Sequence, residues 1–254
     1  VGTESVLTAE EEEQLLESEI NNGADALIVQ PIPGEDTADM LKRIRKRVPV
    51  MLTEQLSSEN GEASMLPVAG ADNYALGAAL AGELLEDYSS RLEGKTVGIL
   101  SRTTDSDMTV SRMTGFCETL KGTGAEVKWQ VAGNFDNGEG DYLENQARVD
   151  FVIALDDSSL TAAGEELAAG GLYGALLYGI GHSTQAAYYV DKGIVECLAV
   201  PDEFSIGYQS MNEIADKLEH PFYKMSSQTV SYTMLRRETL FLEENQELLF
   251  TMSQ

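Results

Sequence analysis

The sequence predicts an α/β protein built on parallel sheets, and three observations carry that prediction. Short apolar runs alternate with amphipathic stretches of roughly 10 to 20 residues, the pattern of βαβ units. The runs number about eight, too many for one small sheet wound in this chain order. Polar and acidic residues collect directly after the apolar runs, at the edge where doubly wound sheets bind ligands.

Taken in order, "TAEEEEQLLESEINNG" reads as a helix, with Thr8 as its N-cap, acids in its first turn and Gly23 beyond its end. "ADALIVQPI" follows as a buried strand, "TADMLKRIRKR" as a helix and "VPVMLTEQ" as a strand. "NYALGAALAGELLEDYSSRL" is a long helix, "KTVGIL" a strand, "VSRMTGFCETLKGTG" a helix and "AEVKWQVAG" a strand. "YLENQAR" reads as a short helix before the strand "VDFVIALDD". The helix "SSLTAAGEELAAGG", the strand "YGALLYGIG", the helix "STQAAYYVDKG" and the strand "IVECLAVPD" complete the alternation. "SIGYQSMNEIADKLEH" is one more helix, and "TVSYTMLRRETLFLEEN" reads as a long extended segment with β-branched and aromatic residues.

Composition narrows the function. The 254 residues carry 43 acids against 17 bases, a net charge of -26, which repels phosphate backbones and disfavours nucleic acid as a partner. The one basic cluster, Lys42 to Arg47, sits late in a predicted helix, where cations complement the dipole. No apolar run approaches the ~18 to 20 residues that span a bilayer, and no signal peptide is read. The two cysteines, Cys117 and Cys197, lie far apart in apolar periodic segments and read as buried free thiols.

The stretch "FVIALDDSSLTAAG" is the most informative. A buried strand ends in two adjacent carboxylates, Asp156 and Asp157, which suit catalytic acids, metal ligands, helix caps or hooks for a polar ligand. An acid before Ser-Ser at a helix start is N-cap chemistry, which explains one of them, most naturally Asp157. Catalytic and cofactor motifs are otherwise lacking. There is no phosphate-binding loop and no strand-linked GxGxxG. "GIGHS" is not a nucleophile elbow, and no strand-end lysine completes a magnesium phosphotransfer site. Of the two histidines, His182 follows a strand and is the better candidate, whereas His220 precedes Pro221 at a helix end. No catalytic residue, metal or cofactor is expected.

The segments "ADNYALGAALAGELL", "SRMTGFCETLKGTGAEV", "DFVIALDDSSLTAAG", "YYVDKGIVECLAVPDEFSIGYQSM" and "ETLFLEENQ" together resemble the type I periplasmic binding proteins. These are sugar and small-solute receptors related to the effector domains of lactose-repressor-like regulators. The resemblance covers nearly the whole chain in order. It implies two Rossmann-like lobes with parallel sheets, joined by a three-strand hinge, with ligand between them. Residues 1–100 and 203–228 would form the N-terminal lobe, and residues 101–202 and 229–254 the C-terminal lobe. The chain would cross near Ser101, Pro201 and Thr229. The family's first strand–helix unit has no counterpart, so the N-terminal lobe is expected to lack it.

Carried over residue by residue, the resemblance implies a ligand site of Arg112, Asp156, Glu54, Gln55, Phe135 and His182. Arg112 would grip hydroxyls or carboxylates with its planar fork of donors. Asp156 would take ligand hydroxyls, with Asp157 capping the next helix, and Phe135 would stack on a sugar ring. Glu54-Gln55 stand where sugar receptors often carry Asp-Arg. Two polar hooks of such receptors are replaced here by Ile180 and Ala199, for which His182 or Tyr178 would compensate, unless the ligand is a less polar one.

The function implied is a non-catalytic extracytoplasmic receptor, a lipid-anchored protein. It would close on a small polar ligand, expected to be a carbohydrate, for ABC import through a membrane permease or for a sensor kinase. The alternative is the effector-binding domain of a lactose-repressor-like regulator lacking its DNA-binding headpiece. An enzyme using Asp156, Asp157 and His182 is a third reading.

Overall fold

The computed structural model describes residues 8–32, 34, 36–56, 66–89, 91–133, 135, 143 and 145–250. In chain order the elements are α1 (Ala9–Asn21), β1 (Leu27–Val29), α2 (Thr37–Ile44), β2 (Val50–Leu52), β3 (Ala69–Ala71), α3 (Asn73–Asp87), β4 (Thr96–Ser101) and α4 (Asp107–Leu120). There follow β5 (Glu126–Ala132), β6 (Phe151–Ala154), α5 (Asp157–Ala168), β7 (Leu176–Ile180), α6 (Thr184–Asp191), β8 (Val195–Pro201), α7 (Glu203–Glu219), β9 (Gln228–Val230), β10 (Tyr232–Leu235) and α8 (Glu243–Phe250). They divide into two compact units, one of Val1–Gly70 with Phe204–Val230, the other of Ala71–Glu203 with Ser231–Gln254.

In the first unit α1 begins with a capping box. Thr8 Oγ1 accepts from the Glu11 backbone N–H, and the Glu11 carboxylate accepts from the Thr8 N–H at 2.8 Å. Strands β1 and β2 pair in parallel, with Leu27 opposite Val50 and Val29 opposite Leu52. A parallel bridge from Leu52 to Val68 extends this sheet. Leu16 of α1, Met40, Leu41 and Ile44 of α2 and the two strands form its apolar core. From α7, the buried Glu213 carboxylate holds the segment leading into β9. It accepts from Tyr223 Oη, Ser226 N and Oγ, and Gln228 Nε2 at 2.7–3.0 Å. Burial opposes its charge, but these donors outweigh burial and hold the carboxyl below its ordinary range.

The second unit is a six-stranded sheet in the order β10-β8-β7-β6-β4-β5. Its β5, β4, β6, β7 and β8 are mutually parallel, and β10 returns antiparallel along β8. The inner strands are apolar throughout, as parallel strands covered on both faces require. Gly98 lets the Trp129 ring lie flat across β4, since a Cβ there would fall 2.1 Å from the indole. Helices α3 and α4 meet backbone to backbone. A Cβ on Gly77 would sit 1.9 Å from the Arg112 carbonyl oxygen, and one on Gly115 would sit 2.1 Å from that of Tyr74.

Three expectations need correcting. The sequence reading runs the first lobe to residue 100, with a crossing near Ser101. The chain parts after Gly70 instead, because β4 pairs with β5 on one side and β6 on the other, and α3 packs on α4. The later boundaries, expected at 203 and 228, fall at Phe204 and Val230. In "YLENQAR" the described residues 143 and 145–148 are turn and irregular chain, not helix. The closing segment is extended only through β10, after which turns at 237–241 lead into α8. Strand β3, "AGA", has no sequence signal, since it carries no apolar run and no β-branched residue.

Candidate functional site

Because β4, β6 and β7 are parallel neighbours, their carboxyl ends lie along one edge of the second unit's sheet. The residues that follow them are cross-linked by the two acids. Asp156 is the N-cap of α5: one carboxylate oxygen accepts from Ser159 N at 2.9 Å, and Ser159 Oγ accepts from Asp156 N. The other carboxylate oxygen accepts from Arg102 N at 2.6 Å, which ties the chain after β4 to the chain after β6. Asp157 continues the frame. Its Oδ1 accepts from His182 N at 2.8 Å and from Ser183 N at 2.9 Å, the two residues leading into α6. Gly181 admits this approach, since a Cβ there would come 2.5 Å from that oxygen. An ionised carboxylate only accepts, so each acid suits loops that present unpaired backbone N–H groups.

Arg112, on α4, is buried at 8% exposure and joins the same edge. Its Nη1 donates to the Leu155 carbonyl at 2.7 Å, one residue before Asp156, and its Nε donates to Asn73 Oδ1 at 2.8 Å, at the start of α3. Arg112 and Asp156, distant in sequence, are thus brought together at the end of β6. The N-termini of α5 and α6 open at this edge and add their partial positive charge.

The other expected residues are placed as follows. His182 is on the same edge with its side chain 56% exposed and Nδ1 at 3.9 Å from Glu203 Oε1. Phe135 packs, half-buried, on the apolar cluster that contains Leu100 and Ala154. Glu54 and Gln55 belong to the first unit. Glu54 accepts from Gln30 Nε2 at 3.0 Å, joining the residues after β1 and β2, and Gln55 donates to the Leu56 carbonyl. Asp136, expected at the same edge because it follows the strand "AEVKWQVAG", lies outside the described residues. The cap expected at Asp157 falls on Asp156, and Asp157 reaches the β7–α6 turn. Tyr178 does not stand in for a missing hook. It is buried, donates to Asp87 at 2.6 Å, and burial first and then this carboxylate raise its pKa. Ile180 and Ala199 are core residues.

Sequence reasoning missed Asn73, while Arg102 and Ser183 stood only among the residues expected directly after strands, with no role assigned. Ser183 was legible as an N-cap before "TQAAYY", and its Oγ accepts from Ala186 N. Arg102 acts through its backbone, which leaves no trace in residue type. Among the described residues no His, Cys, Asp and Glu group has metal-binding geometry. None of the described helices is long and apolar enough to cross a membrane.

A family model described as a periplasmic binding protein domain matches residues 3–221. No curated protein sequence matches the chain. Among solved structures, an ABC transporter solute-binding protein from Agrobacterium vitis with bound D-fucose is 15% identical. It aligns over 98% of this chain and 87% of its own, with a TM-score of 0.80. GanP, a glucose-galactose binding protein from Geobacillus stearothermophilus, is 16% identical over 92% of this chain and 84% of its own, with a TM-score of 0.76. A Brachyspira murdochii protein, named as an ABC transporter, LacI family transcriptional regulator, is 19% identical over 98% of this chain and 87% of its own, with a TM-score of 0.75.

Proposed function

The chain belongs to the periplasmic binding protein domain family, and from that premise we propose that it is an extracytoplasmic, non-catalytic receptor for a monosaccharide or a closely similar polyol. The observation that carries this reading is the convergence of Arg112, which clasps the Leu155 carbonyl, and the next residue, Asp156, at the carboxyl edge of β6, where Asp156 accepts from Arg102 N. A guanidinium that only donates and a carboxylate that only accepts suit a ligand whose hydroxyls do both. The sugar bound to the Agrobacterium vitis protein and the sugars in the name of GanP point to the same ligand class.

Glu54, Gln55, Phe135 and His182 complete the proposed binding set, with Glu54 and Gln55 contributed by the first unit. Ligand would be signalled by a shift in conformational populations, the usual signal of such receptors. The partner that reads this signal would be the permease of an ABC importer or a membrane sensor kinase, with the receptor held at the membrane as a lipoprotein.

The test is isothermal calorimetry against a panel of aldopentoses and aldohexoses, with Arg112→Lys beside the parent. Saturable binding of at least one sugar, weakened tenfold or more in the variant, supports the reading. Failure of every sugar, with binding of an amino acid or nucleoside instead, overturns the ligand class. A second reading, an effector-binding domain of a LacI-type regulator, is favoured by the name of the Brachyspira murdochii protein. The net charge of -26 weighs against that reading.

A further inference from the structure

At the opposite, amino-terminal edge of the second unit's sheet lies a cavity of about 360 Å³, where β4, β6 and β7 begin. Its lining includes a carboxylate with several donors. Asp150 accepts from Lys95 Nζ, Thr96 N and Thr96 Oγ1, each at 2.9 Å. That carboxylate neutralises Lys95 but leaves the ammonium with further donors. Arg148, exposed on the same cavity wall, has no hydrogen-bond or ion-pair partner among the described residues. Two tyrosines complete the lining, Tyr88 at the end of α3 and Tyr173 in the turn before β7.

Tyr173 is held in an uncommon way. It and Leu172 both take left-handed backbone conformations, with φ of 54° and 48°, followed by Gly174 at 70°. Non-glycine residues adopt this region rarely, and two in succession more rarely still. The ring so positioned is 64% exposed at the cavity. A core residue would not need this backbone, and a plain surface turn would be more easily made with glycine or asparagine.

We propose that this cavity is a second ligand site, separate from the carboxyl-edge site, for a ring-bearing organic phosphate of the size of a hexose phosphate. Arg148 and Lys95 meet the phosphate, and the faces of Tyr88 and Tyr173 meet the ring. Arg148, with the donors that Lys95 keeps beyond its bond to Asp150, favours an anionic group over a neutral sugar. Aromatic side chains flanking a mostly polar cavity suit a flat or cyclic body. The site would sense a second solute while the first is bound at the other edge.

The experiment is calorimetry on the full chain with glucose 6-phosphate as the probe, with glucose and inorganic phosphate as separate arms. Saturable binding of glucose 6-phosphate is expected, weakened at least tenfold in Arg148→Glu and several-fold in Tyr173→Gly. The glycine variant keeps the left-handed backbone and removes only the ring. Arg112→Lys should leave this binding unchanged, which separates it from sugar binding at the carboxyl edge. Absence of saturable binding overturns the proposal, as does equal binding by Arg148→Glu. Inorganic phosphate binding as tightly as the sugar phosphate would show an ion site only and overturn the ring-bearing ligand.

Discussion

Replacing Asp156 by alanine separates two things that its position at the sheet edge permits: holding the loops and holding a ligand. The substitution removes the N-cap of α5, worth about 1 kcal/mol. It also leaves the Arg102 N–H without the carboxylate that accepts from it at 2.6 Å, and a hydrogen bond to a charged group contributes roughly 1.5–3 kcal/mol. Together these amount to a loss of about 2.5–4 kcal/mol in the second unit. Asp156→Ser keeps a capping oxygen but is too short to reach Arg102, so it should recover only about 1 kcal/mol of that loss. The assay is urea unfolding followed by tryptophan fluorescence. Trp129 is the only tryptophan, it lies on β5 of the same sheet, and its Nε1 donates to the Ala147 carbonyl. A drop in midpoint with an unchanged slope is the expected result. If Asp156→Ala unfolds within about 0.5 kcal/mol of the parent and yet binds no sugar, the hydrogen-bonded frame does not stabilise the fold and the reasoning fails.

Further outcomes follow from other sites. Glu12 is 5% exposed on α1 with one carboxylate oxygen unpartnered among the described residues, and burial raises its pKa to about 7. Its contribution is therefore fully present below the ordinary pKa near 4.5 and is lost as pH rises through 7. Glu12→Gln should then stabilise the first unit at pH 8, on the order of 2–3 kcal/mol, with little gain at pH 4 in urea melts followed by circular dichroism. Gly77→Ala places a methyl against the Arg112 carbonyl and should cost roughly 3 kcal/mol or more, read as a lower thermal midpoint; a neutral result would mean that α3 and α4 are not in backbone contact. Cys197 is fully buried, and burial pushes its thiol up to about 12. It should react with a thiol reagent only in denaturant, and labelling at the native rate of an exposed thiol would contradict its place in the core.

Much of the fold was legible because α1, α3, α4, α5 and α6 each open on a side-chain cap. Thr8, Ser106, Asp156 and Ser183 all cap, and Thr8 and Ser183 stand where the sequence reading begins their helices, whereas that of α4 begins at Val110, four residues after Ser106. The inner strands were legible as unbroken apolar runs. The boundary of the first unit was not legible, because β4 is apolar on both faces and nothing in its residue types says which sheet it enters. The same limit applies at the site. That Asp156 and Asp157 stand at a sheet edge follows from their position after a strand. Which of them caps α5 depends on the direction each carboxylate takes, and a one-residue offset moves the cap from one to the other. The clasp of Arg112 on the Leu155 carbonyl was not legible at all, since a backbone acceptor has no residue type.

The three crossings of the chain have a consequence for synthesis on the ribosome. The first unit is opened by residues up to Gly70, yet α7 and β9, which complete it, arrive only after residues 71–203 have been made. At ordinary elongation rates of about 5–20 residues per second, that interval is roughly 7 to 27 seconds. Through it, α1, α2 and the β1–β2 pair wait for the rest of their unit, while the parallel strands of the second unit already find their neighbours from β4 to β8. The unit begun first is therefore completed only after most of the second unit has been made, and its early residues are the ones a chaperone would have most time to meet.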